Sequence, residues 1–126
     1  MGVKLDRVTK TFGRLVAVSD FSCDVATGEF VTIVGPSGCG KTTTLRMIAG
    51  FIQPDHGEIY IDGQLMNPIP TRFRNIGIVF QNYALFPNMT AYENIAYGLR
   101  VRKVPEKEIK NKVAEMLELT GLSGME

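Results

Sequence analysis

One glycine-rich segment constrains this chain more than any other part of its sequence. Residues 35–42 read Gly-Pro-Ser-Gly-Cys-Gly-Lys-Thr, so three glycines precede Lys41 and Thr42. Glycines permit tight and left-handed turns, which let consecutive backbone N–H groups point at the oxygens of an anion. An apolar run precedes the segment and a helical pattern follows it, so a lysine and a helix N-terminus add positive charge at the same place. The sequence therefore predicts a loop that holds phosphate groups.

The loop satisfies every defined position of the P-loop pattern G-x-x-x-x-G-K-[ST]. Lys41 is predicted to reach the β- and γ-phosphates as a catalytic residue, and the Thr42 hydroxyl to ligate Mg²⁺. The expected cofactors are thus a nucleoside triphosphate and Mg²⁺. The alternative, a surface turn before an ordinary helix, leaves the order of strand, loop and helix unexplained. The predicted nucleotide contacts are Gly35, Pro36, Ser37, Gly38, Cys39, Gly40, Lys41, Thr42 and Thr43.

The remaining pattern predicts a mixed α/β chain. A change of apolar phase at Ser19 and Asp20 predicts a bulge or a bend in the second strand. Thr90, with Glu93 three residues later, predicts a capping box that begins a helix. Apolar runs at 30–34 and 75–80 are typical of strands buried on both faces of a parallel sheet. The predicted units are antiparallel strands over about 2–26, a P-loop βα unit over about 30–50, a hairpin over about 57–63, and a strand with following helices over about 75–121.

Composition excludes several classes of function. The net charge of the 126 residues is +1, so no overall field favours nucleic acid, and any anion site must be local. No apolar run approaches the roughly 18 to 20 residues that cross a bilayer. The two cysteines have no metal-ligand spacing, and nothing reads as a secretory signal.

Further segments resemble the first half of the nucleotide-binding subunit of an ABC (ATP-binding cassette) transporter, over nearly the whole chain. The order of these segments is most similar to the ATPases of sugar, polyamine, iron and sulfate importers. The resemblance implies a P-loop NTPase core with a partial parallel sheet, and an N-terminal antiparallel β subdomain. It is carried by Thr11-Phe12-Gly13, Gly28-Glu29-Phe30-Val31, the P-loop, Leu45-Arg46-Met47-Ile48-Ala49-Gly50, Gly57-Glu58-Ile59-Tyr60-Ile61-Asp62-Gly63, and Val79-Phe80-Gln81-Asn82-Tyr83-Ala84-Leu85-Phe86-Pro87-Asn88-Met89-Thr90 with Glu93-Asn94-Ile95.

The resemblance also implies roles for two residues outside the P-loop. Phe12 matches the aromatic residue that stacks on adenine, although it could instead be a core residue at a strand end. Gln81 matches the glutamine that ligates Mg²⁺ or orients the attacking water, and is counted as catalytic. Its alternative is a solvated loop residue.

The resemblance further implies the partners of the intact subunit. Transmembrane permease subunits would contact the loop at about Gln81–Met89, which is apolar for a surface loop, although packing under the neighbouring helix would also account for it. Two ATPase subunits, identical or related, would pair head to tail, and a solute-binding protein would take part indirectly. The expected location is cytoplasmic, at the inner face of the membrane, with no nucleic-acid partner.

Three segments only look like the missing catalytic motifs. Asp62 precedes Gly63 and is expected to form a hairpin turn. His56 is expected to lie in a turn. The family has a signature motif, LSGGQ, whose start resembles Leu122-Ser123-Gly124-Met125-Glu126, and we expect this segment to precede the true signature. No Asp-Glu dipeptide occurs in the chain. We therefore expect the N-terminal part of an ATPase, which binds Mg-ATP but does not hydrolyse it efficiently.

Two other functions stay open at this stage. A soluble ABC ATPase of DNA repair or translation would carry the same P-loop and glutamine, although the segment from Asn82 to Pro87 favours an importer. A GTPase or kinase is a weaker alternative, since no N-K-x-D motif that reads guanine is found.

Overall fold

An antiparallel sheet of four strands organises the first part of the chain. The computed structural model describes residues 1–124, and the end of the signature-like segment, Met125 and Glu126, lies outside them. The strands are β1 (Val3–Phe12), β2 (Leu15–Val25), β3 (His56–Ile61) and β4 (Gln64–Leu65), in the sheet order β2-β1-β3-β4. The expected antiparallel strands near the N-terminus are therefore present.

The predicted bulge in β2 is confirmed. Val8 pairs with Phe21 and Lys10 with Val18, so β2 advances one residue more than β1 across Ser19 and Asp20. Asp20 adopts a φ of 47°, and its backbone N–H donates to the Thr9 hydroxyl at 3.0 Å. A local side chain thus satisfies a backbone group that leaves the ladder.

The P-loop helix, α1 (Lys41–Ala49), belongs to the same compact unit as the sheet, Met1–Ile78. Thr71–Phe73 forms a short 3-10 helix in this unit. The core joins apolar residues of the sheet to one residue of α1 and one after β4. These are Leu5, Val8, Val18, Met47, Ile59, Ile61 and Met66.

Two predicted strands are not formed. Residues 30–34 and 75–80 carry no strand assignment in the described structure, and several of their apolar side chains are exposed. Phe30 is 92% exposed and Val79 is 97% exposed. A parallel strand needs a neighbour to accept and donate its ladder hydrogen bonds, and all the strand pairs described here are antiparallel. The two strand predictions are therefore wrong for this structure, although residues 30–34 and 75–80 are largely apolar, as the predictions assumed.

Two helices form the second unit, which runs from Val79 to the C-terminus. The helices are α2 (Ala91–Val101) and α3 (Glu106–Leu119), and their core consists of Ala96, Ile109, Val113 and Leu117. The predicted capping box is present, because the Thr90 hydroxyl accepts from the Glu93 N–H while the Glu93 carboxylate accepts from the Thr90 N–H. Among residues 1–124, no helix combines the length and apolar character that a bilayer crossing requires.

Candidate nucleotide-binding site

The glycine loop leads into α1 through left-handed backbone. Gly38 has a φ of 84° and Gly40, the residue before the helix, a φ of 94°. Non-glycine residues pay a steric cost in this region, so the motif glycines account for the turn. Within the described residues, no side chain caps the start of α1. The first N–H groups of a helix lack carbonyl partners inside it, so this end can receive an anion.

Strand β2 supports the loop from behind. A Cβ atom at Gly40 would collide with the Ala17 carbonyl oxygen and come within 3.1 Å of a Val18 methyl group. At the other end of the loop, a Cβ atom at Gly35 would lie 2.6 Å from the Cys39 sulfur. The loop therefore needs glycine at position 40, for close packing as well as for conformation, whereas a side chain at position 35 would displace the Cys39 side chain.

The Lys41 ammonium is turned towards its own loop. Its Nζ donates to the carbonyl oxygens of Gly35 and Pro36, both at 2.6 Å, and lies 3.4 Å from the Cys39 sulfur. These partners are neutral, so the positive charge is hydrogen-bonded but not neutralised by a carboxylate. A cation on a glycine loop beside an uncapped helix start suits a polyphosphate.

The three consecutive threonines have different environments. Thr44 is buried, and its hydroxyl donates to the Gly40 carbonyl at 3.0 Å, so it serves the helix itself. Thr42 is exposed in the first turn and Thr43 is half-buried. Thr42 is thus the most exposed of the three, which is compatible with the metal-ligand role that the motif predicts for its hydroxyl.

Phe12 lies at the end of β1 and is 46% exposed. It is therefore not the buried core residue that the alternative interpretation requires. Its partner across the ladder is Leu15, two residues before Ala17, whose carbonyl oxygen approaches Gly40. The β1–β2 hairpin thus brings an exposed aromatic ring and the phosphate loop into one unit. Adenine stacking by Phe12 stays a prediction.

Gln81 begins an exposed loop in the second unit. Tyr83 and Ala84 have φ values of 61° and 52°, which is costly backbone for residues with a Cβ atom. Asn94 fastens the loop to α2, because its side chain accepts from the Phe86 N–H at 2.9 Å and donates to the Phe86 and Met89 carbonyls at 3.2 Å. The loop also carries an apolar groove of about 340 Å³.

Arg74 is a residue that the sequence did not single out. Its buried guanidinium donates to the carbonyl oxygens of Met47 and Ile48, at the end of α1, at 2.9 and 2.8 Å. It also donates to Ile69 and Met66, both at 2.8 Å. Burial lowers the pKa of Arg74, yet its charge lies at the negative end of the helix dipole. Nothing in the sequence distinguishes it from the exposed Arg72 two positions earlier.

Asp62 and His56, which resemble catalytic residues only in sequence, have structural roles. Asp62 forms the predicted hairpin turn with a φ of 49°, and its carboxylate accepts from the Gly2 N–H at 2.7 Å. His56 begins β3 and pairs with Thr9, so it belongs to a strand and not to the expected turn. Within the described residues, the hydrogen bonds of Asp62 and the strand pairing of His56 are with Gly2 and with strand β1, and not with the phosphate loop.

Comparisons with known proteins agree with this geometry. A family profile described as "ABC transporter" matches residues 18–126. The chain is 51% identical to the spermidine/putrescine import ATP-binding protein PotA of Rubrobacter xylanophilus, over all of this chain and 33% of the relative. It is 52% identical to the trehalose/maltose import ATP-binding protein MalK of Thermococcus litoralis, over 97% of this chain and 34% of the relative. The chain therefore spans about a third of the length of these relatives.

Solved structures give the same result. A dimeric, post-hydrolysis ATP-binding cassette bound to ADP and Pi matches with a TM-score of 0.81 and 34% identity, over 92% of this chain and 56% of the other. A bacterial Atm1-family ABC exporter with ATP bound matches with a TM-score of 0.70 and 40% identity, over 77% of this chain and 18% of the other. These matches confirm the predicted fold class. With half of the chain or more matched in sequence and in structure, the chain belongs to the ABC transporter family.

Proposed function

We propose that residues 1–126 are the N-terminal part of one ATPase domain, and that they bind Mg-ATP through the P-loop. The observation that carries this proposal is the start of α1. A left-handed glycine loop, an uncapped helix end and a lysine with no carboxylate partner among residues 1–124 meet there. The ATP-bound and ADP-bound relatives of known structure support the choice of nucleotide.

Each site residue has a role in this proposal. Lys41 exchanges its carbonyl partners for phosphate oxygens, because an anion offers a stronger charge-assisted hydrogen bond than a neutral carbonyl. The backbone N–H groups from Gly35 to Thr43 hold the phosphates, and Phe12 contacts the base. Thr42 is the proposed ligand of the magnesium ion in the first unit, and the ion supplies positive charge against the triphosphate when bound. For Gln81, in the second unit, we propose the metal role that the resemblance implies.

Hydrolysis needs more than this chain supplies. Phosphoryl transfer requires an oriented water and charge stabilisation around the γ-phosphate. Lys41 would provide part of that environment, and the resemblance implies a further part for Gln81. The sequence has no Asp-Glu dipeptide and no complete LSGGQ signature. The chain alone therefore binds nucleotide and turns it over negligibly, while the intact subunit hydrolyses ATP.

The intact subunit is proposed to energise solute import. The relatives named above are import ATP-binding proteins for polyamines and for sugars, and this favours an importer over a soluble repair or translation ATPase. The subunit would pair head to tail with a second ATPase subunit, as the dimeric state of the related cassette suggests. It would lie in the cytoplasm against the membrane, held there by permease subunits.

The loop from Gln81 to Met89 is the proposed permease contact. It is exposed, Leu85 and Tyr83 present large apolar surfaces, and Asn94 holds its far end in place. A strained backbone at Tyr83 and Ala84 is a feature of segments that bind partners. In the intact subunit, Leu85→Asp should abolish co-purification with membrane subunits and leave Mg-ATP binding unchanged. Loss of nucleotide binding with retained membrane partners would contradict this assignment.

Calorimetric titration of the purified chain with Mg-ATP tests the central proposal. Lys41→Ala should weaken binding by about 100-fold, because a charge-assisted contact to phosphate is lost. Lys107→Ala is the matched control, since this exposed lysine lies on α3 in the other unit. Equal affinities of the wild type and Lys41→Ala would refute a P-loop function.

A further inference from the structure

Asp55 joins β1 to the start of β3 beside the exposed ring of Phe12. Its backbone N–H donates to the Thr9 carbonyl at 2.8 Å, and its carboxylate accepts from the Thr11 N–H at 2.7 Å. The same carboxylate accepts from the Lys10 ammonium at 2.6 Å. One residue therefore holds three consecutive residues of β1, directly before Phe12.

Lys10 connects this carboxylate to the aromatic ring. Its Nζ lies 5.5 Å from the centroid of the Phe12 ring, within the range of a cation–π interaction. The Lys10 side chain is only 16% exposed, so it is packed in one place. The ring thus has a fixed cation beside it and is still partly open to solvent.

We infer that Asp55 and Lys10 are positioning residues that hold the Phe12 ring in the place from which it contacts the nucleotide base. This inference rests on the proposed function, in which Phe12 stacks on adenine. Neither residue belongs to the P-loop. Their contribution therefore concerns the base end of the ligand and leaves the affinity for the triphosphate unchanged.

A second lysine on β1 shows what an ordinary surface pair looks like. The Lys4 ammonium lies 3.9 Å from the Asp6 carboxylate and 5.9 Å from the Tyr60 ring centroid. Its side chain is 52% exposed. Exposed and distant pairs of this kind contribute little to stability. The pair of Lys10 and Asp55 differs in three ways. Its contact is short, Lys10 is little exposed, and the Asp55 carboxylate also accepts from the Thr11 N–H. Lys4 therefore provides a matched control.

The test compares two ligands, Mg-ATP and magnesium tripolyphosphate, titrated into the 126-residue chain. Phe12→Ala measures the whole contribution of the ring, about ten-fold in Mg-ATP affinity, since a stacked base contributes on this order. Asp55→Asn and Lys10→Met should each weaken Mg-ATP by about three- to five-fold, a part of the same contribution. Neither should change tripolyphosphate affinity, and Lys4→Met should change neither ligand. Lys10→Met keeps the bond between Asp55 and Thr11, so it tests the ring contact if Asp55→Asn destabilises the unit.

A double-mutant cycle separates positioning from a general structural effect. If Asp55 acts through the ring, Asp55→Asn has no further effect in the Phe12→Ala background. Equal losses for both ligands, or an unchanged Mg-ATP affinity in both variants, would overturn the inference. A wild type that binds tripolyphosphate as tightly as Mg-ATP would overturn it too, while the phosphate site would stand. A wild type that binds neither ligand would refute the proposed function itself.

Discussion

Helices α1 and α2 begin in opposite ways. Before α2, Thr90 and Glu93 exchange side-chain hydrogen bonds, so the first turn is satisfied by its own sequence. Before α1, Gly40 provides no side chain, and the first turn contains no acidic residue within the described chain. Lys41 is the first residue of α1 instead and adds positive charge to the positive end of the helix dipole.

The start of α2 is stabilised by its own side chains, whereas the start of α1 leaves its N–H groups open to a ligand. A capping box stabilises a helix by roughly 1 kcal/mol, and α1 forgoes this stabilisation. Its compensation lies at the other end, where Gly50 turns the chain and Arg74 holds the last carbonyl groups. The start of α1 is thus free to bind an anion because its far end is anchored by tertiary contacts.

The largest expected effect is on that anchor. Arg74→Leu removes the donor of four hydrogen bonds to carbonyl oxygens at the end of α1 and after β4, and should lower the stability of the first unit by about 3 kcal/mol. Hydrogen exchange at the amides of α1 measures it, with α2 as the internal reference. Arg72→Leu is the control, since this exposed arginine contacts only the neighbouring Phe73 ring in the described contacts. An equal response of α1 and α2 would contradict local anchoring by Arg74.

Ligand binding should sharpen the difference between the two helices. A ligand that binds only the folded state stabilises it by about 2.7 kcal/mol at a concentration 100 times its dissociation constant. Mg-ATP should therefore slow exchange in the P-loop and α1 by up to about 100-fold, and leave most of α2 unchanged. Lys41→Ala should remove the protection at the same nucleotide concentration. Protection of α2 alone would place the ligand elsewhere.

A smaller effect is expected at the cap of α2. Thr90→Ala removes the acceptor for the Glu93 N–H and should destabilise α2 by about 1 kcal/mol. Mg-ATP affinity should stay unchanged. Glu93→Gln is the matched variant, because glutamine can still accept from the Thr90 N–H. Exchange rates within α2 distinguish the two, and a loss of nucleotide affinity in Thr90→Ala would show that the cap is not merely structural.

Local features of the sequence predicted the structure well, and features that depend on distant partners did not. The P-loop turn, the β2 bulge and the cap at Thr90 depend on residues close in sequence, and each is present. The strands at 30–34 and 75–80 need neighbouring strands that the described residues do not supply. Arg74 escaped prediction for the same reason, since its partners at Met47 and Ile48 lie far away along the chain.

The smallest expected effect is an acid dependence of the first unit at Asp55. The hydrogen bond from Lys10, and then that from the Thr11 amide, holds the pKa of Asp55 below its ordinary value of 3.8. A carboxyl group with a lowered folded-state pKa stabilises the fold above the unfolded-state pKa, and this stabilisation is lost as pH falls through the folded value. Urea unfolding, monitored by hydrogen exchange at the amides of β1, should show that Asp55→Asn is less stable than the wild type above pH 3.8. The difference should fade at lower pH, because the wild-type carboxyl group is then neutral as well. Since Asp55 is exposed, the difference is small, and α2 should not share it. A difference that persists unchanged in acid would mean that the amide substitution acts through shape and not through the charge that holds Lys10 beside the Phe12 ring.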